Sequence, residues 1–316
     1  MILTITVNAS LDQALFVDKL KLHDTNRVFR KEVDAGGKGV NLSRVAVELG
    51  GESTATGFLG GGPGAFIRKV LDKQGVDHDF VEVEGDTRIN FSVEDGNGPP
   101  TTFNQPGPDV PTEKWEELKN KLRKYGGRAE WICLGGSLTR GIPKDAYRIL
   151  GELTHEFDAK LCLDADGENF EQGLQACPEL IKPNESEAER ILSRPVKTTP
   201  QAIQASRDLE HRLKSLGAQA PYVIVSRGAK GAVLCHQGKV LLADPVEVDV
   251  NSTIGSGDSM VAGFLVGLKS TNRLDDALRW GVAAGAATAT TDGSEIARRP
   301  VFEELLERAE VREAPV

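Results

Sequence analysis

Two glycine turns, each running straight into an apolar helical pattern, carry the residue types in this 316-residue chain best suited to chemistry. In the first, Asp34-Ala-Gly36-Gly37-Lys38-Gly39-Val40-Asn41, a cation and a carboxamide fall on the opening turn of the helix. In the second, Gly255-Ser256-Gly257-Asp258 leads into Ser-Met-Val-Ala-Gly-Phe264 and puts a carboxylate there. Glycines let successive backbone N–H groups converge on an anion, and a helix N-terminus adds partial positive charge. Such turns suit phosphate chemistry. An acid at the same place also stabilises a helix by ~0.3–1 kcal/mol with no chemistry involved. The pattern GxxxxGK[ST] occurs nowhere in the sequence, so P-loop chemistry is disfavoured. Gly60-Gly61-Gly62-Pro63-Gly64-Ala65 satisfies the loose GxGxx(G/A) dinucleotide pattern, but a chain with 34 glycines meets it easily.

The elements that must position these turns alternate. Ile2 to Val7, Thr54 to Leu59, Trp131 to Leu134, Lys160 to Leu163, Leu180 to Lys182, Tyr222 to Val225 and Ala232 to Cys235 read as strands. Helical patterns cover 40–49, 63–74, 144–157, 185–192 and 200–216, the last with Thr199 as predicted N-cap and Pro200 at the first helical position. Alternation of this kind predicts an α/β fold with a mainly parallel sheet covered on both faces. Residues 12–34 and 88–104 break the alternation. The second is a hairpin pattern around Asp95-Gly96-Asn97-Gly98, and the two together predict a small β-sheet lid over the carboxyl ends of the main sheet. No linker or repeat interrupts the chain, so 1–316 reads as one domain.

Composition bounds the partners. Lys and Arg number 38 and Asp and Glu 47, a net charge of −9, which repels nucleic acid and anionic lipid but tolerates a small anion held by local cations. The longest strongly apolar stretch, 260–268, is about half the ~20 residues of a membrane span, and no basic n-region opens the sequence. Four scattered cysteines with no CxxC pair point away from zinc and towards a reducing, cytoplasmic setting.

Taken in order, AGGKGVN (35–41), TRIN (87–90), GGSL (135–138), KPNESE (182–187), SRGAKGA (226–232) and the 255–264 segment resemble the ribokinase-like carbohydrate kinases, in their phosphofructokinase-B branch, along nearly the whole chain. The resemblance implies a three-layer αβα fold with a β-lid and ATP-dependent phosphorylation of a sugar hydroxyl. It implies Asp258 as catalytic base, expected here to be an ionised, weak one, and Gly255, Ser256 and Gly257 as the anion hole for the transferred group. Ser256 stands where the family commonly has Ala. Asp12, Gly37, Asn41 and Asn90 would hold the sugar. Lys182, Asn184 and Glu187 correspond to the nucleotide-phosphate and Mg²⁺ motif, with Glu187 acting on the metal through water. Ser226, Gly228 and Gly231 correspond to the nucleotide-side loop. The small residues of Gly281 to Ala289 suit either a flat adenine or close helix packing.

Lys38, Arg88 and Ser137 match positions that hold a phosphosugar's existing phosphate in this branch, with Arg27 of the lid as a fourth contact. Three cations aimed at one pocket of an acidic protein suit a sugar phosphate better than a neutral sugar. TRIN and Asn104-Gln-Pro-Gly-Pro108 look most like 1-phosphofructokinases, which implies fructose 1-phosphate converted to fructose 1,6-bisphosphate. Tagatose-6-phosphate and fructose-6-phosphate kinases are the neighbouring readings, and a non-catalytic sugar-phosphate sensor is the rival class. Ser10, Gly135-Gly-Ser-Leu-Thr139 and Asp164-Ala-Asp-Gly167 depart from the usual pattern on the substrate side. The lid's Val17, Val28, Phe91, Val93 and Phe103 need cover on one face, which predicts a homodimer clasped through the lid.

Overall fold

The computed structural model describes residues 1–98 and 100–314. Pro99, inside the predicted 88–104 hairpin, and Pro315 and Val316, at the end of the predicted domain, lie outside the described residues. The chain opens with β1 (Ile2–Thr6), β2 (Ser10–Val17), β3 (Val28–Gly36), α1 (Lys38–Glu48), β4 (Ser53–Leu59), α2 (Gly61–Lys73), β5 (Asp77–His78), β6 (Val81–Glu82), β7 (Arg88–Glu94), β8 (Thr101–Asn104) and α3 (Thr112–Gly126). It continues through β9 (Trp131–Gly135), α4 (Ala146–Thr154), β10 (Lys160–Asp164), α5 (Gly167–Leu174), β11 (Leu180–Ile181), α6 (Glu185–Leu192), α7 (Thr199–Leu216) and β12 (Tyr222–Ser226). Last come β13 (Ala232–His236), β14 (Lys239–Ala243), α8 (Ser256–Thr271), α9 (Leu274–Ala289), α10 (Arg299–Arg308) and β15 (Val311–Glu313).

The main sheet runs β15-β14-β13-β12-β11-β10-β9-β1-β4-β5, with β6 beside β4. From β12 to β5 every pairing is parallel, and β12 to β15 form an antiparallel edge. Its strands are apolar on both sides because both sides are covered. Leu3, Ile5, Ile132 and Leu134 face a core built with α3 to α7, whereas Ile2, Trp131 and Cys133 face one built with α1, α8, α9 and α10. This is the predicted layered α/β arrangement.

The lid is also present, as a separate sheet ordered β3-β2-β7-β8. β2 pairs antiparallel with β3 and parallel with β7, and β7 returns antiparallel as β8. One sequence expectation is corrected. The cap of α7 is Thr198, whose side chain accepts from Gln201 N while Gln201 answers back, so Thr199 is the first helical residue and Pro200 the second. The box Thr198-x-x-Gln201 outcompetes Thr199 because it satisfies two end groups reciprocally.

Candidate active site

Apart from Arg27, the predicted site residues gather at the carboxyl ends of the parallel strands, where open α/β sheets bind ligands. Two helix N-termini meet there. α1 begins at Lys38 after Gly37, and α8 begins at Ser256 after Gly255, whose φ of 76° is a left-handed conformation suited to glycine. α8 is apolar nearly all round and buried from Asp258 through Gly267, so its first turn is fixed rigidly. Asn41 Nδ2 donates to Asp258 Oδ2 at 2.9 Å, joining the two turns.

Asp258 is only 7% exposed. Burial pushes its carboxyl up to about 6, aided by the nearby Asp164 charge and opposed by Lys38, Lys182 and the Asn41 bond. The expectation that the helix end makes this carboxylate a weak base is therefore corrected: desolvation outweighs the helix end, although a carboxyl at about 6 is still mostly ionised at neutral pH. A carboxyl in this range is a better proton acceptor near neutral pH than an ordinary aspartate.

Asp164, at the end of β10, is the main residue the sequence reading left out of the site. Its Oδ1 lies 2.8 Å from Lys38 Nζ and its Oδ2 3.7 Å from Lys182 Nζ. Burial alone would raise its carboxyl, but the two ammonium groups hold it below the usual carboxylate range. Burial would likewise lower Lys38, yet Asp164 and Asp258 keep it well above an ordinary lysine. The quartet thus alternates in charge, Asp258, Asp164 and Lys182 buried and Lys38 partly exposed, with Lys182 also pressed against Gly257, where an added Cβ would lie 3.1 Å from Nζ. Asp164 had one signal in the sequence, its place at the carboxyl end of a predicted strand.

On the lid side, Asp12 accepts from Ser10 Oγ at 2.7 Å and Asn90 Nδ2 at 3.0 Å. Burial raises Asp12, those two bonds and the Arg88 charge opposing. The β2–β7 register sets Asn90 opposite Asp12 and Arg88 opposite Ser10. Arg88 Nε is buried with no partner among the described residues, as are Oδ1 of Asn41, Oδ1 of Asn90 and the Ser256 hydroxyl. Orphaned polar atoms cost stability unless something bonds them, so their concentration here marks a place built for a polar ligand. Ser137 accepts from Asn8 Nδ2 at 3.0 Å. Arg27 is not brought in. It is exposed just before β3, and the ladder that pairs Asp12 with Asp34 and Val17 with Val28 sets it roughly 20 Å from Asp12 at ~3.3 Å per residue.

On the far side of Asp258 an open cleft of about 1460 Å³ is lined by Lys182, Asn184, Ser226, Gly228, Gly231 and Ser256, among others. Asn184 and Glu187 form a capping box on α6: Asn184 Oδ1 accepts from Glu187 N at 2.9 Å, and Glu187 Oε2 accepts from Asn184 N at 2.8 Å. The second Glu187 oxygen stays available, a hard donor of the kind Mg²⁺ takes. Gly285, Ala286 and Ala289 of α9 line the cleft, whereas Ala283, Ala284 and Ala287 pack into the core, so one face of the small-residue helix is used for close packing and the other is left open to the cleft. An added Cβ on Gly61 would sit 1.7 Å from Asp86 Oδ1, so the chain itself fills that space. Among the described residues no helix is long and apolar enough to cross a membrane, and no group of three or more His, Cys, Asp and Glu could hold a metal on its own.

Comparison with known proteins places the chain in a family. The sequence profile described as pfkB family carbohydrate kinase matches residues 5–299. The chain is 35% identical over 290 residues to a 1-phosphofructokinase of Borreliella burgdorferi, covering 92% of each chain. It is 30% identical over 311 residues to a 1-phosphofructokinase of Bacillus subtilis, covering 98% of this chain and 99% of that one. A crystal structure of phosphofructokinase-2 from Escherichia coli in complex with substrates and products superposes with a TM-score of 0.88 at 26% identity, covering 97% and 98% of the two chains.

Proposed function

This chain belongs to the pfkB family of carbohydrate kinases, and from that premise we propose that it transfers the γ-phosphoryl group of ATP to a hydroxyl of fructose 1-phosphate. Membership makes it a phosphotransferase with an alcohol acceptor. The observation that carries the finer reading is the orphaned, buried Nε of Arg88 beside Asp12. A cation without a full set of bonds, at a sugar-binding acid, suits a sugar that already bears a phosphate. The names of the relatives from B. burgdorferi and B. subtilis favour the 1-phosphate isomer.

In the reaction, Asp258 receives the proton of the acceptor hydroxyl as its oxygen bonds to the γ-phosphorus and the bond from that phosphorus to the ADP oxygen breaks. Asn41 holds Oδ2 of Asp258, which leaves Oδ1 to face the hydroxyl. Positioning and charge stabilisation dominate phosphoryl transfer. Backbone N–H groups of Gly255 to Gly257 and the Lys182 ammonium would stabilise the transferred group, and Asp164 keeps both lysines aimed inward. Glu187, oriented by its capping box with Asn184, would hold Mg²⁺ through water. The metal, when bound, neutralises charge on the phosphate oxygens.

The lid supports assembly as a homodimer. Phe29 is 66% exposed and Phe103 56% on its edge strands, with Val28 at 46%, whereas Val17 is buried within the chain itself. Exposed aromatic edges of a small sheet invite pairing with a second copy.

An ATP-consumption assay across fructose 1-phosphate, fructose 6-phosphate, tagatose 6-phosphate and the free sugars tests the reading. Turnover highest on fructose 1-phosphate supports it. Preference for another phosphosugar replaces the acceptor, and consumption with none of them removes the kinase reading in favour of a sensor.

A further inference from the structure

We infer that Asn8 is a positioning residue that fixes which way the Ser137 hydroxyl points, keeping its proton free to be donated to the phosphate of the acceptor sugar. This rests on the reading of Ser137 as a phosphate contact.

Asn8 follows β1 and is 8% exposed. Its Nδ2 donates to Ser137 Oγ at 3.0 Å and to the Leu138 carbonyl at 3.2 Å. The second bond settles the first. A backbone carbonyl can only accept, so the nitrogen of the carboxamide must face Leu138 and therefore also faces Ser137. Ser137 Oγ is thus an acceptor towards Asn8, and its single proton is left for another partner. Facing a phosphate, that proton makes a charge-assisted bond. Without Asn8 no donor would hold the hydroxyl oxygen on that side, and the proton would lose its fixed direction.

The surroundings enforce this geometry. Asn8 Oδ1 is buried with no partner among the described residues, an uncommon state for a carboxamide this deep. It lies against Gly107, where an added Cβ would fall 2.2 Å from Oδ1 and 2.4 Å from Thr139 Oγ1. Thr139 Oγ1 in turn donates to the Pro108 carbonyl at 2.6 Å, drawing the 104–108 and 135–139 segments together around Asn8. Asn8 is therefore clamped without its oxygen being satisfied, a cost that a purely structural asparagine has no reason to carry.

The test compares Asn8→Ala, Asn8→Asp and Ser137→Ala by steady-state kinetics on fructose 1-phosphate and on fructose. An aspartate cannot donate, so it takes the Ser137 proton for itself. Asn8→Asp should raise KM for fructose 1-phosphate by a further tenfold or more over Asn8→Ala, with KM for ATP and for fructose moved equally in both variants. Placed in a Ser137→Ala background, the gap between the Asp and Ala variants should close. A gap that persists there would mean bare charge repulsion and would overturn the inference, as would equal effects of Asp and Ala on the phosphorylated sugar. If Asn8→Asp does not fold, Asn8→Ala with Ser137→Ala supplies the answer. Non-additive effects on KM for fructose 1-phosphate support the inference, and additive ones overturn it. Ser137→Ala leaving that KM unchanged removes the phosphate-contact reading itself, and the role of Asn8 with it. That outcome is distinct from a Ser137 effect that Asn8 fails to modulate.

Discussion

Replacing Asp258 with Asn should abolish most turnover and make the ligand-free protein more stable. The carboxyl is pushed up from 3.8 to about 6, and this is a net displacement that already contains the attraction of Lys38 and Lys182 and the bond from Asn41. Roughly two pKa units correspond to about 3 kcal/mol of folding free energy lost by ionising the group in place. The sign follows from the direction of displacement. A carboxyl raised by folding favours the folded state while protonated, and that contribution disappears as pH climbs from the unfolded value near 4 through about 6. An asparagine is neutral throughout and can still accept from Asn41. Its advantage should therefore be absent near pH 4, grow between pH 4 and 6, and stay constant above. With an unfolding entropy of ~2.1 cal/mol/K per residue, 3 kcal/mol is a rise in Tm of about 4 °C. Turnover should fall at least ~10²-fold, the low end for losing a positioned proton acceptor. Differential scanning calorimetry at pH 5 and 8 and a saturating kinase assay check both halves. A variant no more stable than the parent at pH 8 refutes the desolvation argument. Turnover within tenfold of the parent removes Asp258 from the base role.

Arg88→Ala should weaken fructose 1-phosphate about tenfold to a hundredfold and leave fructose itself unaffected; equal losses on both sugars would end the phosphate-clamp assignment. Asp164→Asn removes a like charge from Asp258 and frees two lysines to attract it, so the acidic limb of kcat/KM against pH should move to lower pH from its position near 6. An unmoved limb would show that the two carboxyls do not communicate. Light scattering at micromolar concentration should find a dimer, and Phe29→Asp or Phe103→Asp on the exposed lid should shift it to monomer. A monomeric parent defeats the clasp.

Much of the fold was legible because burial on both faces writes a parallel strand as an unbroken apolar run, as in Trp131–Gly135 and Tyr222–Ser226. The lid was legible for the opposite reason, since its strands interrupt the alternation and one turn is spelled Asp-Gly-Asn-Gly. The edge strands β14 and β15 were missed. β14 follows β13 through Gln237-Gly238, both at positive φ, a hairpin turn whose first residue is not one of the usual formers. β15 is three residues long and is a strand only because β14 is there to pair with it. α3, with Trp115, Leu118 and Leu122 on its buried face, carried a helical stripe that stood outside the predicted elements.

Most of the residues brought together here were legible in the sequence, Asp164 missed and Arg27 misplaced, whereas their electrostatic arrangement was not, and the reason is one of magnitude. A helix N-terminus stabilises a nearby carboxylate by ~0.3–1 kcal/mol, and that local effect can be read from Gly-Ser-Gly-Asp alone. Burial of the same carboxylate leaves a net cost of about 3 kcal/mol even after Lys38, Lys182 and Asn41 have opposed it, since its displacement is roughly two units, and nothing in the local sequence shows how deeply α8 is sunk. The tertiary term wins, and so Asp258 is raised where the local rule has it lowered. Asp164 makes the complementary case. It is equally inaccessible, at 7% exposed, yet it is held low because two lysines from separate segments, 38 and 182, close on it. Two carboxyls in one site are thus driven apart, Asp258 raised towards neutral pH and Asp164 kept charged between its two cations, the separation that the proposed division into base and anchor requires. Which carboxyl takes which task depends on the three-dimensional count of neighbouring charges, a quantity that spacing along the chain does not encode.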